Sequence, residues 1–181
     1  GPESLASFAK SKHSDAFNKA ERPLMLVGAG AYARPDGGAI AALAANVAGE
    51  FGFISKDWNG FSVLHSAASR VAALDLGFVP GPAGMNAADM AKPRALQALF
   101  LLGADEIEVG PGAFVVYIGT HGDRGAHRAD VILPGAAYPE KSGIYVNTEG
   151  RVQMANRARF PPGDAREDWA IIRALSDVLG H

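Results

Sequence analysis

The densest group of chemically able side chains lies in the run Thr120-His121-Gly122-Asp123-Arg124-Gly125-Ala126-His127-Arg128-Ala129-Asp130. His121, His127, Asp123 and Asp130 are the donor types a divalent metal takes, provided several converge with outer hydrogen-bond support. The surrounding residues favour another reading. Gly122 and Gly125 mark a loop, and Arg124 and Arg128 would repel a cation. The segment is therefore expected to be a polar connection between two strands, with Asp130 tying the turn through its carboxylate. No metal ligand is assigned.

A second group is Glu140, Lys141, Asn147, Glu149 and Arg151, set around Gly143 and Gly150. A pair of carboxylates could exchange protons with a substrate. A loop braced by Asn and Glu side chains bonded to backbone accounts for the same residues equally well. Asn147, ahead of Thr148-Glu149-Gly150, has the character of a turn residue. The expectation is a buried loop over residues 147–151, with its polar groups satisfied by protein and Glu149 contributing to stability. No catalytic residue is assigned here, nor to His65, which stands alone beside Leu64 and Ala67 with no Ser–His–Asp order in the chain.

Gly28-Ala29-Gly30-Ala31-Tyr32-Ala33 fits the pattern G-x-G-x-x-A directly after an apolar run. Such glycines can let backbone N–H groups approach a pyrophosphate at a helix N-terminus. Arg34-Pro35-Asp36 then delays the helix, and no acidic residue closes a second strand at the expected distance. A tight strand-to-helix turn is the simpler reading. No cofactor contact is expected; the weak candidates are Gly28, Gly30 and Gly103.

The elements that must position these residues follow from apolar spacing. Residues 4–20 are predicted as a polar, loosely amphipathic helix ended by Arg22-Pro23. Leu24–Val27 is predicted as a buried strand. Asp36 is a candidate cap for a helix carrying Ile40, Leu43, Ala44 and Val47 on one face. Phe51–Ile54 is a second predicted strand, Ser62–Leu74 a helix, and Gly77–Pro93 a long loop. Leu99–Leu102, Phe114–Ile118 and Val131–Leu133 are further strands, each stopped by glycine or Pro-Gly. The last helix follows Asp164, with Glu167 three residues on as a capping pair. Ile171, Leu175, Val178 and Leu179 are placed on its inner face. Trp58 and Trp169 are expected to be packing anchors, Trp169 holding the last helix to the sheet. Apolar strands joined by helices indicate an α/β fold with a mainly parallel sheet, covered on both sides in three α/β/α layers.

Composition narrows the function classes. The chain has 181 residues, 48% hydrophobic and 20% charged, with net charge −2. That gives no electrostatic case for nucleic acid. No apolar run approaches the roughly 18 residues of a membrane span, so no direct membrane insertion is expected. The opening residues lack the apolar core of a signal peptide. Gly1-Pro2 has the look of a protease scar, and residues 1–21 are read as a helical segment ahead of one α/β domain over 22–181. There are no cysteines, which excludes disulfides, thiolate zinc sites and cysteine-held iron–sulfur clusters from this chain.

The stretch Ala129–Gln153, ADVILPGAAYPEKSGIYVNTEGRVQ, resembles the signature block of the molybdopterin-containing oxidoreductases. Taken with Leu64–Gly77, Leu99–Asp105, Thr120–Pro134, Glu140–Gln153 and Pro161–Leu175, the chain resembles the large iron–sulfur subunits of respiratory complex I (NADH:quinone oxidoreductase). The resemblance covers roughly residues 21–179. It implies a piece from the C-terminal part of such a subunit, where the molybdenum cofactor has been lost. The parent's 2Fe–2S and 4Fe–4S clusters would sit on an N-terminal cysteine-rich region that this chain does not contain. It also implies a non-catalytic scaffold whose partners are other peripheral-arm subunits. The complex would lie on the cytoplasmic side of a bacterial inner membrane or the matrix side of the mitochondrial one. The family's LGxN-type turn reads Gly103-Ala104-Asp105-Glu106 here, without the Asn-Pro pair. Two other readings stand beside this one. Arg22–Gly30 is similar to the opening of the middle domain of thiamine-diphosphate enzymes, which would make a nucleotide-binding module. A catalytic molybdoenzyme fragment would need a metal ligand from outside the chain.

Overall fold

A computed structural model of the protein describes residues 1–122 and 124–181. The chain forms two compact units, one of residues 1–76 and 146–152, the other of residues 77–145 and 153–181.

In the first unit, α1 (Pro2–Ala9) and α2 (Ser14–Asn18) replace the single helix expected over 4–20. The chain leaves the helix after Ala9, and the Ser11 and Ser14 hydroxyls bond back to Phe8 O and Ser11 O at 2.8 and 2.7 Å. Serines compete with the helix ladder in this way. β1 (Met25–Gly28) runs parallel to β2 (Phe61–Leu64), with Met25 opposite Phe61 and Val27 opposite Val63. β1 is not the buried strand expected: Leu24 and Leu26 are exposed, and Met25 and Val27 half-buried. Alternation of this kind marks a strand with one packed face.

Helix α3 (Gly37–Glu50) carries the expected face, with Ala44 and Val47 buried and Leu43 packed beside them. Asp36 occupies the cap position without capping. Its carboxylate instead takes both bonds of a fork from Arg34, at 2.7 and 3.0 Å. Gly37 is required at the helix start, since a Cβ there would lie 2.1 Å from Tyr32 O.

The core joins Val47, Ala48, Phe51 and Phe53 to Leu5, Phe17, Met25 and Phe61. Phe17 meets Phe53 edge-to-face at 5.4 Å, an arrangement aromatic rings favour. Phe51–Ile54 is not a strand: Phe51 closes α3, and Ile54 makes only an isolated bridge to Asn59. The strand comes later, at Phe61–Leu64, overlapping the start of the segment predicted as helix. Only α4 (Arg70–Asp75) of that helix forms. Val63 and the aromatic Phe61 prefer the pleated, half-buried surface. Trp58 is half-buried and donates its indole N–H to Pro23 O at 2.8 Å, so it does anchor the approach to β1.

The second unit opens with α5 (Ala87–Met90), a short helix within the segment expected to be loop, capped by the Asn86 side chain on Asp89 N at 2.9 Å. Its sheet is three-stranded in the order β3 (Ala98–Leu102), β4 (Phe114–Gly119), β5 (Val131–Pro134). Both pairings are parallel, and the expectation of an α/β fold with parallel strands holds. α6 (Arg124–Arg128) crosses between β4 and β5. The core is Leu99, Leu101, Val115 and Tyr117, with Met90, Leu96, Ile107 and Ala126 against it.

β6 (Gly143–Val146) and β7 (Val152–Ala155) pair with each other. α7 (Asp168–Leu179) ends on Gly180 at φ 78, a left-handed C-terminal stop. Glu167 precedes α7 without a side-chain cap bond, so the expected capping pair is absent. Val178 and Leu179 are exposed, as is Trp169 at 66%. Trp169 therefore does not hold the helix to the sheet; its indole N–H goes to Glu167 Oε2 at 2.7 Å. Ile171 and Leu175 form the half-buried side of α7.

Candidate functional site

Three glycines stand at the carboxyl ends of the three parallel strands: Gly103 after β3, Gly119 ending β4 and Gly135 after β5. In open α/β sheets ligands collect at this edge. Here a cleft of about 400 Å³ opens, lined by Gly103, Asp105, Tyr117, His121, Tyr138, Lys141 and Asp168 among others. Gly103 takes φ 59, a conformation that favours glycine. Its N–H donates to Ile118 O at 2.8 Å, and the Gly135 N–H donates to Gly119 O at 2.9 Å.

Lys141 donates to the Asp168 carboxylate across the cleft, and each side chain is 29% exposed. Tyr117, buried in the sheet, donates its hydroxyl to Asp105 Oδ2 at 3.4 Å. Its ring needs the two glycines beside it. A Cβ at Gly119 would lie 2.2 Å from the Tyr117 ring, and one at Gly125 2.8 Å from it. Thr120 Oγ1 and His121 Nδ1 share a hydrogen bond of 2.7 Å at the rim. Glu140 closes a 3-10 turn over Tyr138–Glu140, its Oε2 accepting from Ala137 N at 3.0 Å, and it faces Arg159 at 3.8 Å. It is a bracing group rather than a free acid.

The remaining predicted residues are dispersed. His121 and His127 are not brought together with an acidic partner set, and Asp123 lies outside the described residues. Asp130 Oδ2 accepts from Val115 N at 2.8 Å and stands 3.7 Å from Arg128, so it pins the start of β4 rather than its own turn. Among the described residues no three His, Cys, Asp or Glu side chains gather as a metal set.

Gly28 and Gly30 belong to the other unit. Ala29–Ala31 is a turn of 3-10 helix, α3 starts only at Gly37, and a Cβ at either glycine would meet nothing within 4 Å. No close backbone approach depends on them. The loop 147–151 is not buried: Thr148 to Arg151 are exposed. Its organiser is Asn147, whose Oδ1 accepts from Glu149 N at 3.0 Å and Arg151 N at 2.9 Å. His65 is half-buried in the turn after β2, not on a helix. The Lys141–Asp168 pair escapes sequence reading because its partners lie 27 residues apart and no local pattern joins them.

Parallel strands with glycines at their carboxyl ends, bordering a cleft, define an open parallel α/β domain. The molybdopterin oxidoreductase family model matches residues 2–178, and the chain belongs to that family. Within it the chain is similar to the NADH-ubiquinone oxidoreductase 78 kDa subunit, mitochondrial, of Candida albicans, at 50% identity over 97% of the chain. It is 44% identical over 99% of its length to the mitochondrial NADH dehydrogenase (ubiquinone) iron-sulfur protein 1 of Solanum tuberosum. To a NADH-quinone oxidoreductase subunit of Rickettsia bellii it is 44% identical over 93%. The chain spans about a quarter, 24%, of the length of each of these relatives.

The cleft does not fit the cofactor after which the family is named. A pterin dinucleotide brings a pyrophosphate, which wants unpaired cations and free backbone N–H groups. The cleft instead presents Asp105 and Asp168, and its lysine is paired with Asp168. The N–H groups of Gly103 and Gly135 are engaged by Ile118 O and Gly119 O. The chain has no cysteine to serve as a soft ligand. No step of chemistry is assigned through such a group.

Proposed function

We propose that this chain is a scaffold portion of the large peripheral subunit of complex I, the assembly that passes electrons from NADH to quinone. The subunit's 2Fe–2S and 4Fe–4S clusters belong to parts of the longer polypeptide outside this chain. Its partners are other peripheral-arm subunits, on the cytoplasmic side of a bacterial inner membrane or the matrix side of the mitochondrial one. No helix among the described residues is long and apolar enough to cross a membrane.

The observation that carries the reading is the Lys141–Asp168 pair. It neutralises the lysine that lines the cleft, in a chain whose relatives bear NADH-ubiquinone oxidoreductase and NADH dehydrogenase names over nearly its whole length. The cleft then braces the domain, tying the chain after β5 to α7.

The test is calorimetric titration of the chain with NADH and, separately, with a guanine nucleotide. No heat from either is the expected result. Heat from the guanine nucleotide would restore the cleft as a molybdopterin-type site. Tight NADH binding would overturn the scaffold role and return Gly28 and Gly30 to consideration as a nucleotide loop.

A further inference from the structure

On the second unit, beside Asp168 of the cleft, two exposed aromatic rings are held by one arginine and one glutamate. Phe160 is 74% and Trp169 66% exposed. The Arg157 guanidinium lies 4.1 Å over the Phe160 ring, a cation–π contact. The same guanidinium reaches Glu167 Oε1 at 3.3 Å, and Glu167 Oε2 accepts from the Trp169 indole at 2.7 Å. One carboxylate thus links Phe160, Arg157 and Trp169 into a single array.

This array is prepared for burial. The Trp169 N–H already has a partner, so covering the ring orphans no donor. The rings and guanidinium are held in place before binding, which lowers the ordering cost of association. Trp and Arg in a preorganised cluster are the residues that dominate protein interfaces.

The charge of the patch selects the partner. From 157 to 169 the exposed charged residues are Arg157, Arg159 and Arg166 against Asp164. The anions that hold the arginines lie underneath. The Arg159 side chain is 68% exposed and its Glu140 partner 13%; Glu167, partner of Arg157, is 18% exposed. The surface therefore offers aromatic rings within a cationic rim.

We infer that Phe160 and Trp169, framed by Arg157 and Arg159, form a docking surface for a second polypeptide that presents an apolar recess edged by carboxylates. Placing that polypeptide within complex I rests on the function proposed above; the chemistry of the surface does not.

The test places a photo-crosslinking amino acid at position 169 in the full-length subunit within the assembled complex, and sequences the captured peptide. Capture of a carboxylate-rich peptide from another polypeptide is expected. Arg159→Glu should reduce that capture by about tenfold, as charge reversal at an interface opposes docking. Arg159→Lys, which keeps the charge, should restore most of it, and this separates docking from a folding defect. No capture, or capture only of the subunit's own peptides or of a basic one, would overturn the inference. If the full-length subunit fails to assemble with any complex I component, the scaffold reading falls. Capture of an acidic partner would still support the docking surface in that case.

Discussion

Lys141, on the connection following β5, donates to the carboxylate of Asp168, the first residue of α7, and the two side chains are 29% exposed each. A salt bridge this sheltered differs from one on open surface, because removing one partner strands the other in a partly dry site. Lys141→Met leaves Asp168 without its cation in a cleft that Asp105 also lines. We expect a loss of about 1–3 kcal/mol, read as a lower urea midpoint. Asp168→Leu added to Lys141→Met should recover part of that loss. If the single variant unfolds at the wild-type midpoint, the bracing role is wrong.

The Asn147 side chain carries the β6–β7 connection, since its one oxygen accepts from the N–H groups of both Glu149 and Arg151. Asn147→Ala should cost about 0.5–1.5 kcal/mol. Glu149→Ala, at an exposed position, should stay within about 0.5 kcal/mol of wild type. Thermal melts of the two variants side by side decide this, and the reverse order would refute the assignment.

Two glycines can be told apart by the space beside them. Gly125→Ala would press a methyl to 2.8 Å from the Tyr117 ring and 3.1 Å from Ala104 O. Overpacking of a buried site of this kind costs about 1–3 kcal/mol. Gly30→Ala meets nothing within 4 Å, and the reduced freedom of the unfolded chain should leave it neutral or more stable by up to about 1 kcal/mol. A destabilised Gly30→Ala would reveal a constraint on that turn that its geometry does not contain.

Two aspartates set an acid dependence. The Asp36 carboxyl is held below its ordinary 3.8 by the hydrogen bonds from Arg34, and Asp89 below 3.8 by its bond from Lys92. With a folded value below the unfolded one, each carboxylate stabilises the chain fully above the unfolded value. That contribution fades as pH falls through the folded one. Both sites are open to solvent, so the effect should be small and weaken with added salt. Denaturant midpoints measured from pH 5 down to about 2 should fall less steeply for Asp36→Asn with Asp89→Asn than for wild type. Identical slopes would show that the pairs make no difference in solution.

Much of the fold was legible where one local rule governs. The face of α3 followed from Ile40, Leu43, Ala44 and Val47, because helical period and burial agree there. β3, β4 and β5 followed from short apolar runs stopped by Gly103, Gly119 and Pro134-Gly135, and the family was readable in the motifs along most of the chain. The absence of cysteine settled by itself which iron–sulfur chemistry this chain cannot hold.

Tertiary structure decided the rest, because those features depend on groups distant in sequence. Phe61–Leu64 has apolar residues that suit helix or strand, and its parallel pairing with β1 made it a strand. Phe17 looked like part of a polar segment until Phe53 received it. Trp169 was expected inside and stands outside, its N–H held by Glu167. The cleft joins residues from the ends of the parallel strands with Lys141 and Asp168, which pair there from distant parts of the chain. Local spacing records the period of a helix or strand, whereas a salt bridge across a cleft is set by where the folded backbone brings its two ends.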